Sequence, residues 1–572
     1  MRYVCAVFDY DGTLAKDSRV APSTVEALKK LRESGRKIIL ATGRQLEDLL
    51  GVFPDAELFD EIVAENGAAL YTPASRNYKV LAEPPPASFV EELRRRGVTP
   101  IAVGDSIVAT WRPNEQTVLD VIRDEGLGLQ VIFNKDAVMV LPSGVSKATG
   151  LTSAAEELGL SLHNLVGAGD AENDHAFLSL CECSVAVANA LPSLKERADY
   201  VTSKDHGYGV EELIERMLAD DLASLAPRLA RHRLLLGHSD SGGEFRVEPY
   251  GARLMVAGPS GGGKSTTVSA LLERLIENHY QVCLVDPEGD YDDFEQFVTL
   301  GGPERIPAAT EILEVLKKPE SSLSINLLGV PVEDRPAYFR SLLPSLQELQ
   351  TRTGRPHWLV IDEAHHLLPA GSPDLGSILP KEFASVLLIT VHPDHVSPVM
   401  LDAVTGLLII GPNPQEVISQ FNAGSGRGLI AEGAKGSGNG LGKIVAWMFG
   451  EGAAAQNIAV EPGKLELKRH RRKYAAGELG EDKSFYFRGP EGKLNLRAHN
   501  LRTFIQLTKG VDDETWLYHL KGGHYSQWFR EAVKDQNVGE EISKIERDDH
   551  PNAAESREHI IEIIEKNYTE PA

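Results

Sequence analysis

The fold is decided by the stretch Val7-Phe8-Asp9-Tyr10-Asp11-Gly12-Thr13-Leu14. The apolar residues that lead into Asp9 predict a buried parallel strand, which ends in two acids one residue apart. In an open α/β sheet, ligands bind at the carboxyl ends of the strands. Two carboxylates there repel each other, so a divalent cation with oxygen ligands is expected to hold them. The alternative is an ordinary strand followed by an Asp-Gly turn.

Three further segments follow in order and favour the cation site. Residues 38–44 predict a second strand that ends in Thr42 and a glycine, and a hydroxyl with free backbone amides can bind a phosphate oxygen. Lys147 opens a predicted helix, where its ammonium can neutralise the same phosphate. Residues 164–174 predict another strand followed by a second cluster of acids.

These motifs, DxDGT, ATGR, the lysine and GDAEND, resemble those of the haloacid dehalogenase (HAD) phosphatases over residues 1–217. About a hundred residues separate Thr42 from Lys147, so an inserted cap is expected between the second and third motifs, at about residues 80–145. Its predicted αββαββ order is similar to the type IIB, Cof-like caps. The resemblance therefore implies a Rossmann-like core and a small phosphorylated metabolite as substrate.

The resemblance also implies a role for each motif residue. Asp9 would be the nucleophile that takes the phosphoryl group as an aspartyl-phosphate, and Asp11 the general acid/base. Thr42 and Lys147 would hold and neutralise the phosphoryl oxygens. The implied ligands of Mg²⁺ are Asp9, the Asp11 carbonyl, Asp170 and, as a ligand or in the surrounding layer, Asn173 and Asp174.

A second set of motifs begins with the predicted strand 253–257, continues as GxxxxGKS and enters an amphipathic helix that extends to about Glu277. This strand, loop and helix form a P-loop, in which backbone amides surround the β-phosphate of a nucleotide. Lys264 is expected to reach the β- and γ-phosphates, and the Ser265 hydroxyl to bind Mg²⁺. The predicted ATP-binding residues are Gly258, Gly261, Gly263, Lys264, Ser265, Thr266 and Asp362.

A hydrophobic strand about a hundred residues later ends in Asp362 and Glu363. Asp362 fits the Walker B acid that positions Mg²⁺, and Glu363 fits the base that polarises the attacking water. Such a glutamate favours an ATPase over a small-molecule kinase. His365 and His366, which follow it, are interpreted as packing or capping residues.

Together with DPEGDY, IDEAHHLL, TVHP and LLIIG, these motifs resemble the HerA/FtsK/VirB4 pumping ATPases over residues 244–475. His392 stands near the place of that family's sensor glutamine, which is a departure from its pattern. The resemblance implies a closed ring, most simply a hexamer, completed by an arginine from the next subunit. The candidates are Arg427, Arg469, Arg471 and Arg472. For the basic run 464–473, a solvated surface strand and turn is the alternative.

Composition limits the remaining possibilities. The 572 residues suggest three or four domains, with a helix and linker at 218–243 and a small, mainly helical domain at 478–572. Four cysteines exclude a disulfide framework, and no apolar run approaches the roughly 18 residues of a membrane span. These features fit a protein of the cytoplasm without a membrane partner. The net charge of −24 works against passive wrapping of nucleic acid, although local basic patches remain possible.

Three functions are compatible with this pairing of motifs. The first is a metabolite phosphatase whose rate or substrate access depends on the ATP state of an attached ATPase. The second is a HerA-like translocase with a HAD module that acts on nucleic-acid ends, which the acidic charge and the Cof-like cap disfavour. The third is a bifunctional kinase/phosphatase, which Glu363 and the segment 286–291 disfavour.

Overall fold

The computed structural model describes residues 1–134, 136–259, 262–292, 294–371, 385–431, 442–450, 454–463, 484–533, 536–547 and 552–568. The chain divides into two compact units, which are described separately. The first comprises Met1–Gly289 and Gln296–Gly463, and the second Asp290–Glu295 and Lys464–Ala572. The predicted fold class is confirmed: two α/β regions are followed by a mainly helical one. None of the helices described is long and apolar enough to cross a membrane.

The N-terminal region is a mostly parallel sheet between helices. Its strands are β1 (Cys5–Asp9), β2 (Ala15–Lys16), β3 (Arg19–Val20), β4 (Lys37–Ala41), β5 (Glu61–Ala64), β6 (Ala69–Thr72), β7 (Asn77–Val80), β8 (Ala102–Val103), β9 (Val108–Trp111), β10 (Leu129–Asn134), β11 (Ala137–Pro142), β12 (Leu165–Gly169), β13 (Cys183–Ala186) and β14 (Tyr200–Val201). Its helices are α1 (Pro22–Glu33), α2 (Leu46–Val52), α3 (Ala87–Arg95), α4 (Glu115–Asp124), α5 (Lys147–Glu157), α6 (His175–Leu180), α7 (Pro192–Arg197) and α8 (His206–Asp220).

The main sheet of this region has the strand order β14-β13-β12-β1-β4-β5-β6-β7. All five residues of β1 are buried, as expected for a central parallel strand with helices on both faces. The cap follows the predicted αββαββ order from α3 to β11, and its antiparallel sheet has the order β10-β11-β9-β8. Because β1, β4, β5 and β12 are parallel, their carboxyl ends meet at one edge of the sheet.

The central region is built on one large sheet with the order β16-β15-β25-β24-β23-β17-β22-β21-β18-β20-β19. Its strands are β15 (Leu234–Ser239), β16 (Glu244–Val247), β17 (Arg253–Ala257), β18 (Val282–Asp286), β19 (Phe297–Gly301), β20 (Ser322–Asn326), β21 (Trp358–Ile361), β22 (Ser385–Thr390), β23 (Gly406–Ile410), β24 (Lys443–Met448) and β25 (Gln456–Val460). Its helices are α9 (Lys264–Glu277), α10 (Ala309–Leu316), α11 (Arg335–Thr353), α12 (Ala364–Leu367), α13 (Pro398–Ala403) and α14 (Pro414–Ser425).

The segment 237–243, predicted as a linker, is instead the end of one strand and the turn of a hairpin. Strands β15 and β16 pair antiparallel, and β15 also pairs with β25 at the edge of the central sheet. The composition of this segment is that of a turn as much as of a linker. The pairing of β15 with β16 makes it the turn of a hairpin, and the pairing with β25, more than 200 residues away, adds that hairpin to the central sheet.

The N-terminal and central regions meet at the amino ends of their parallel strands, a contact called the junction below. His163, just before β12, stacks on Tyr280, just before β18, with ring centroids 3.8 Å apart. Arg355, before β21, is almost fully buried, and its Nη2 donates to the Gly159 carbonyl at 3.1 Å. The junction therefore joins the two sheets at their amino ends, on the edges opposite those where ligands bind.

A buried ionic network supports the junction. The Glu182 carboxylate accepts from the Arg2 guanidinium at 2.5 Å and lies 2.8 Å from His163 Nδ1. The Tyr280 hydroxyl donates to the same carboxylate at 3.1 Å. Burial alone would raise the pKa of Glu182, but the His163 hydrogen bond and the Arg2 charge outweigh it and lower that pKa to about 2. The carboxylate is therefore a charged anchor for residues of both regions.

The C-terminal region is a small helical bundle with one hairpin. Its elements are β26 (Phe485–Phe487), β27 (Leu496–Ala498), α15 (Leu501–Gly510), α16 (Asp513–Lys521), α17 (His524–Trp528), α18 (Gln536–Glu546) and α19 (Ala553–Tyr568). Trp516, Trp528 and Phe529 of this region are buried, whereas Tyr518 is exposed. Stacked rings such as Trp516 on Tyr525, with centroids 4.4 Å apart, form this core.

Candidate functional site

Three buried carboxylates meet at the carboxyl edge of the N-terminal sheet. Asp9 ends β1, and Asp170 and Asp174 follow β12, which pairs with β1 in parallel register. One oxygen of each acid lies within 4.8 Å of the others, and all three side chains are buried. Carboxylate oxygens at this spacing are a donor set suited to Mg²⁺. The two predicted acid clusters, about 160 residues apart in sequence, thus form one group.

Lys147 provides the positive charge inside this group. Its buried Nζ donates to Asp9 Oδ1 and, at 2.7 Å, to Asp174 Oδ1. Burial alone would lower the pKa of Lys147, but the charges of Asp174 and Asp9 raise it above its ordinary value. Burial raises the pKa of Asp9, and repulsion from Asp174 adds to that effect. Ser146 fixes this lysine in place, because it caps α5 by a reciprocal hydrogen-bond pair with Thr149.

The remaining oxygens of the acids are held by local contacts. Asp174 Oδ2 accepts the backbone N–H groups of Asp170 at 2.8 Å and Ala171 at 2.9 Å. Thr13 Oγ1 donates to Asp170 Oδ1 at 3.2 Å. Gly12, at φ +92°, comes so close that a Cβ there would lie 2.3 Å from Asp170 Oδ2. The glycine of DxDGT is therefore required by the approach of the second acid cluster.

Asp11 is held by a residue to which sequence reasoning assigned no role. Arg44 Nε and Nη2 donate to the two oxygens of Asp11 at 2.6 and 2.7 Å, a bidentate pair. The same guanidinium also contacts Asp48 at 2.5 Å and Ser18 Oγ at 2.6 Å. Thr42 is fully buried beside it, and its hydroxyl accepts the Arg44 backbone N–H at 3.1 Å. Arg44 thus orients the candidate acid/base. In the sequence, this role was indicated by the arginine that ends the ATGR motif.

A further polar segment at this edge, Glu65-Asn66-Gly67, was missed from the sequence. The Asn66 N–H donates to the Thr42 carbonyl at 2.9 Å, and Asn173 Nδ2 donates to Asn66 Oδ1 at 3.0 Å. Gly67, at φ +105°, approaches α5 so closely that a Cβ would lie 1.9 Å from the Ser146 carbonyl oxygen. The signal was available, because this polar triplet directly follows the apolar strand β5, as the other motifs follow their strands.

The cap covers this site with an apolar surface. A Cβ at Gly43, in the ATGR motif, would lie 3.2 Å from the Cε of Met139 on β11. Met139 packs in a buried cluster with Ile107 and Leu141 of the cap and Ala68 of the core. The cap is therefore in direct contact with the motif that carries Thr42, as a specificity element should be.

Two glycines of the predicted P-loop have backbone conformations that other residues rarely adopt. Gly258 has φ +154°, and a Cβ there would lie 2.2 Å from the Ile410 carbonyl oxygen, while Gly263 has φ +102°. Lys264 Nζ donates to the carbonyls of Gly258 at 2.9 Å and Pro259 at 3.0 Å. Two further predicted ligands begin α9: Ser265 is half-buried and Thr266 is exposed. Gly261 lies outside the described residues.

The Walker B strand β21 is separated from the P-loop strand β17 by β22 alone. Asp362 is fully buried, and its Oδ1 accepts the Glu363 backbone N–H at 3.0 Å. His365 Nδ1 lies 3.5 Å from Glu363 Oε2 and 3.1 Å from Thr390 Oγ1, at the end of β22. His365 therefore lies between Glu363, the candidate base, and Thr390 at the end of β22. It was interpreted as a packing or capping residue, but it also contacts these two polar side chains. Burial lowers the pKa of His365 to about 4, and nearby His366 acts in the same direction.

Of the arginines predicted to complete the ATP site of a neighbouring subunit, the structure describes one, Arg427. Arg427 Nη1 donates to the Val404 carbonyl of its own chain at 2.8 Å, and its guanidinium lies 4.8 Å from the centre of the Phe449 ring. Its head group therefore has partners within the chain. The other three candidates, Arg469, Arg471 and Arg472, lie outside the described residues.

Comparison with known proteins identifies relatives of both α/β regions. Residues 6–94 and 129–214 match the haloacid dehalogenase-like hydrolases, and residues 251–351 match the central domain of helicase HerA. A phosphoglycolate phosphatase of Methanothermobacter thermautotrophicus is 30% identical over 218 residues, which are 37% of this chain and 96% of that protein. One of Natronomonas pharaonis is 30% identical over 220 residues, which are 36% of this chain and 95% of that protein. A solved structure from Thermoplasma acidophilum is 17% identical with a TM-score of 0.34, and the match covers 37% of this chain and 97% of that one.

Proposed function

The chain belongs to the haloacid dehalogenase-like hydrolases through its N-terminal region, and on that premise we propose that this region is a Mg²⁺-dependent phosphatase of small phosphorylated metabolites. The observation that carries the proposal is the buried group of Asp9, Asp170, Asp174 and Lys147 at the carboxyl edge of the sheet. Burial and repulsion from Asp174 disfavour the ionised form of Asp9, and a cation bound among the three acids would relieve that repulsion.

The proposed chemistry follows from the position of each side chain. A carboxylate oxygen of Asp9 attacks the phosphorus, and the bond from phosphorus to the leaving oxygen breaks. Arg44 occupies both oxygens of Asp11 in this structure, so Asp11 would act as the acid only after one oxygen leaves that pair and takes a proton from solvent. It would then give this proton to the leaving oxygen and, as a carboxylate, remove one from the water that hydrolyses the aspartyl-phosphate. Thr42 and Lys147 hold the phosphoryl oxygens. A Mg²⁺ held by Asp9, Asp170, Asp174 and the Asp11 carbonyl would neutralise the phosphate charge.

Phosphoglycolate is the substrate that we propose to test first. The relatives quoted above bear the name phosphoglycolate phosphatase and align with this chain over nearly their whole length. The family match is interrupted between residues 94 and 129, within the cap. Because the cap covers the site, the cap residues between 94 and 129 are where we expect the substrate preference of this chain to be set.

The decisive experiment separates metal binding from turnover. Phosphate release from phosphoglycolate, sugar phosphates, nucleotides and a 3′-phosphorylated oligonucleotide is measured with Mg²⁺ and with excess EDTA. In parallel, the melting temperature is recorded with and without Mg²⁺ for the wild type and for Asp170→Asn. Mg²⁺ should raise the melting temperature of the wild type and much less that of the variant. Equal turnover with EDTA would contradict the assignment.

We propose ATP hydrolysis for the central region, carried by the P-loop and by Glu363. The match to the HerA central domain and the order β17-β22-β21 support this assignment. In it, Lys264 and Ser265 contact the phosphates and Mg²⁺, and Glu363 polarises the attacking water. A closed ring, most simply a hexamer, would be the active assembly. Light scattering with an ATP analogue tests the ring, and a monomer with full ATPase activity would rule it out.

The same match favours one alternative function, a HerA-like translocase whose HAD module removes phosphate from nucleic-acid ends. The net charge of −24 supports the metabolite phosphatase instead. The oligonucleotide in the substrate screen distinguishes the two, because only the alternative expects it to be the preferred substrate.

A further inference from the structure

Glu65 is a buried carboxylate whose two oxygens are both used by the cap. Its side chain belongs to the core, one residue after β5, and is 2% exposed. Its Oε1 accepts the backbone N–H of Asp105 at 2.9 Å, and its Oε2 accepts the backbone N–H of Ser106 at 2.8 Å. Hydrogen bonds to an ionised acceptor are about twice as strong as neutral ones. This pair is therefore a strong and directional contact between core and cap.

The cap loop is shaped to receive this carboxylate. A Cβ at Gly104 would lie 2.5 Å from Glu65 Oε1 and 2.8 Å from its Cδ, so only glycine allows the approach. The Gly104 N–H donates to the Ile107 carbonyl at 2.8 Å, which closes the turn between β8 and β9. Two neighbours add further contacts to the core: Tyr78 donates to Asp105 Oδ2 at 2.6 Å, and Ser106 Oγ donates to the Ala82 carbonyl at 2.5 Å.

The core end of Glu65 is tied to the candidate catalytic motifs. Its own backbone N–H donates to the Arg44 carbonyl at 2.9 Å, and Arg44 holds Asp11. The next residue, Asn66, contacts Asn173 beside the acid cluster. Ile107 of the same cap loop packs with Met139, the cap residue nearest the ATGR motif. Glu65 thus contacts the cap loop through its side chain and the loop that orients the acid/base through its backbone.

We propose that Glu65 is a positioning residue that docks cap residues 104–106 onto the core and so sets how the cap encloses the substrate. The role rests on the proposed phosphatase function, since it concerns substrate binding at that site. A carboxylate buried this deeply needs its hydrogen bonds, because an ionised group without partners is strongly disfavoured. Displacement of the cap loop would remove both bonds, so Glu65 favours the docked arrangement. Loss of Glu65 should then weaken substrate binding more than it slows the chemical step.

The contact is tested first without reference to catalysis, by amide hydrogen exchange of the full chain over residues 104–107. Glu65→Ala and Gly104→Ala should both speed exchange at Asp105 and Ser106 by about tenfold or more. Glu65→Gln keeps one acceptor and should give an intermediate rate. Gly128→Ala is the matched control, because it is also a cap glycine without positive φ and a Cβ there meets nothing within 4 Å.

The two substitutions act on one contact, so their effects should not add. Gly104→Ala should change the exchange rate and KM little in the Glu65→Ala background, because the carboxylate that its Cβ would clash with is absent there. With phosphoglycolate, each single variant should raise KM about tenfold and change kcat less than about threefold. A merely structural role would lower the active fraction, and hence kcat, at constant KM.

Each outcome decides the proposal. Exchange at wild-type rates in Glu65→Ala, or a Gly104→Ala variant as mild as Gly128→Ala, overturns the contact. Faster exchange with an unchanged KM overturns the role in substrate binding. If the wild type hydrolyses no phosphate ester, the proposed function fails, whereas the exchange experiment still decides whether Glu65 docks the cap.

Discussion

At the residue scale, the candidate N-terminal site brings together acids that repel one another, and the Lys147 ammonium offsets part of that repulsion. Asp9 and Asp174 share the Lys147 ammonium, and Asp170 is held by Thr13. Burial of these carboxylates opposes their ionised form, and Lys147 opposes that effect. The net effect raises the pKa of Asp9, because repulsion from Asp174 adds to burial, so a bound Mg²⁺ would have to assist Lys147 in keeping the nucleophile ionised. Asparagine at this position removes the charge without a change of shape.

The first prediction is that Asp9→Asn abolishes phosphate release from phosphoglycolate in the presence of Mg²⁺. The amide has the same shape but cannot form an aspartyl-phosphate, so activity should fall by at least about 10³-fold. Steady-state phosphate release is the measurement. Asp55→Asn, at an exposed acid of the same region, serves as the control and should retain full activity. Residual turnover above a few per cent in Asp9→Asn would contradict the assigned nucleophile.

The second prediction separates nucleotide binding from hydrolysis in the P-loop site. Lys264→Ala should bind ATP poorly, whereas Glu363→Gln should bind it normally and hydrolyse it about 10²-fold or more slowly. Both are made in the Asp9→Asn background, so that phosphate released by the other site does not interfere. Binding is followed with a fluorescent ATP analogue and hydrolysis by phosphate release. Wild-type hydrolysis in Glu363→Gln would remove that residue from its assigned role.

At the scale of secondary-structure elements, the start of α5 decides where the Lys147 ammonium lies. The helix begins at a capping box on Ser146, and Gly67 passes directly beside that residue. A helix start is sensitive to such contacts, because the first N–H groups need partners outside the helix. The short segment between β5 and β6 therefore supports Lys147, a candidate catalytic residue 80 positions away in the chain.

The third prediction is that Gly67→Ala lowers phosphatase activity at least about tenfold and lowers the melting temperature of the chain. Its Cβ would lie 1.9 Å from the Ser146 carbonyl oxygen, so the start of α5 must move. Gly144→Ala is the control: it has a similar φ of +85°, but a Cβ there meets nothing within 4 Å. The control should show only the cost of about 1 kcal/mol for alanine at positive φ. Equal effects of both would show that backbone strain alone is responsible.

At the scale of the whole first unit, the junction places the two candidate sites on edges that face away from each other. Arg2 lies over the Tyr250 ring at 4.3 Å, which joins the chain just before β1 to the chain just before β17. Each of these five-residue strands spans about 17 Å before it reaches its site. A phosphorylated intermediate therefore has no short path between the sites, which disfavours a shared substrate. Any effect of ATP on the phosphatase must pass through the junction or the strands.

The fourth prediction concerns the pH dependence of the junction. Burial, followed by the charges of His163 and Arg355, lowers the pKa of His357 well below its ordinary value. His357 is therefore neutral in the folded chain, accepting from the Gln281 N–H at 2.8 Å, and takes up a proton only on unfolding. Unfolding then binds a proton below pH about 6.5, so stability falls as the pH falls through that value.

The measurement is the melting temperature of the wild type and of His357→Asn at pH 7.5 and at pH 5.5. The melting temperature of the variant should be lower than that of the wild type at pH 7.5. It should fall less between pH 7.5 and pH 5.5, because asparagine takes up no proton on unfolding. His395→Asn, at an exposed histidine, is the control and should follow the wild type at both values. A wild type and His357→Asn with identical losses would show that this histidine does not titrate on unfolding.

The fifth prediction is that the ATP state changes the phosphatase rate or its choice of substrate. Rates with phosphoglycolate and with bulkier esters are compared with and without a non-hydrolysable ATP analogue. Lys264→Ala, which should not bind the analogue, is the matched control. A conformational response requires that the analogue bind one arrangement of the first unit more tightly than another. Identical rates for every ester would describe two independent enzymes on one chain.

The sequence by itself determined both folds and the candidate chemistry of both sites. The acids after β1, the threonine after β4 and the P-loop before α9 are local patterns, since each is a strand followed by its ligand-binding residues. The helical character of the C-terminal region also followed from its sequence. Such features are encoded within a few residues of one another, so no knowledge of distant contacts is needed to predict them.

Only the tertiary structure decided which distant residues meet. The bidentate hold of Arg44 on Asp11, the docking of Glu65 under the cap loop and the joining of the two regions through His163 and Tyr280 depend on sheet order and register. The place of the hairpin β15–β16 at the edge of the central sheet depends on the pairing of β15 with β25. The physical reason is that these contacts are hydrogen bonds and packing between segments tens to hundreds of residues apart. No local pattern specifies such partners, because a buried glutamate or histidine is satisfied by whichever donor the fold brings to it.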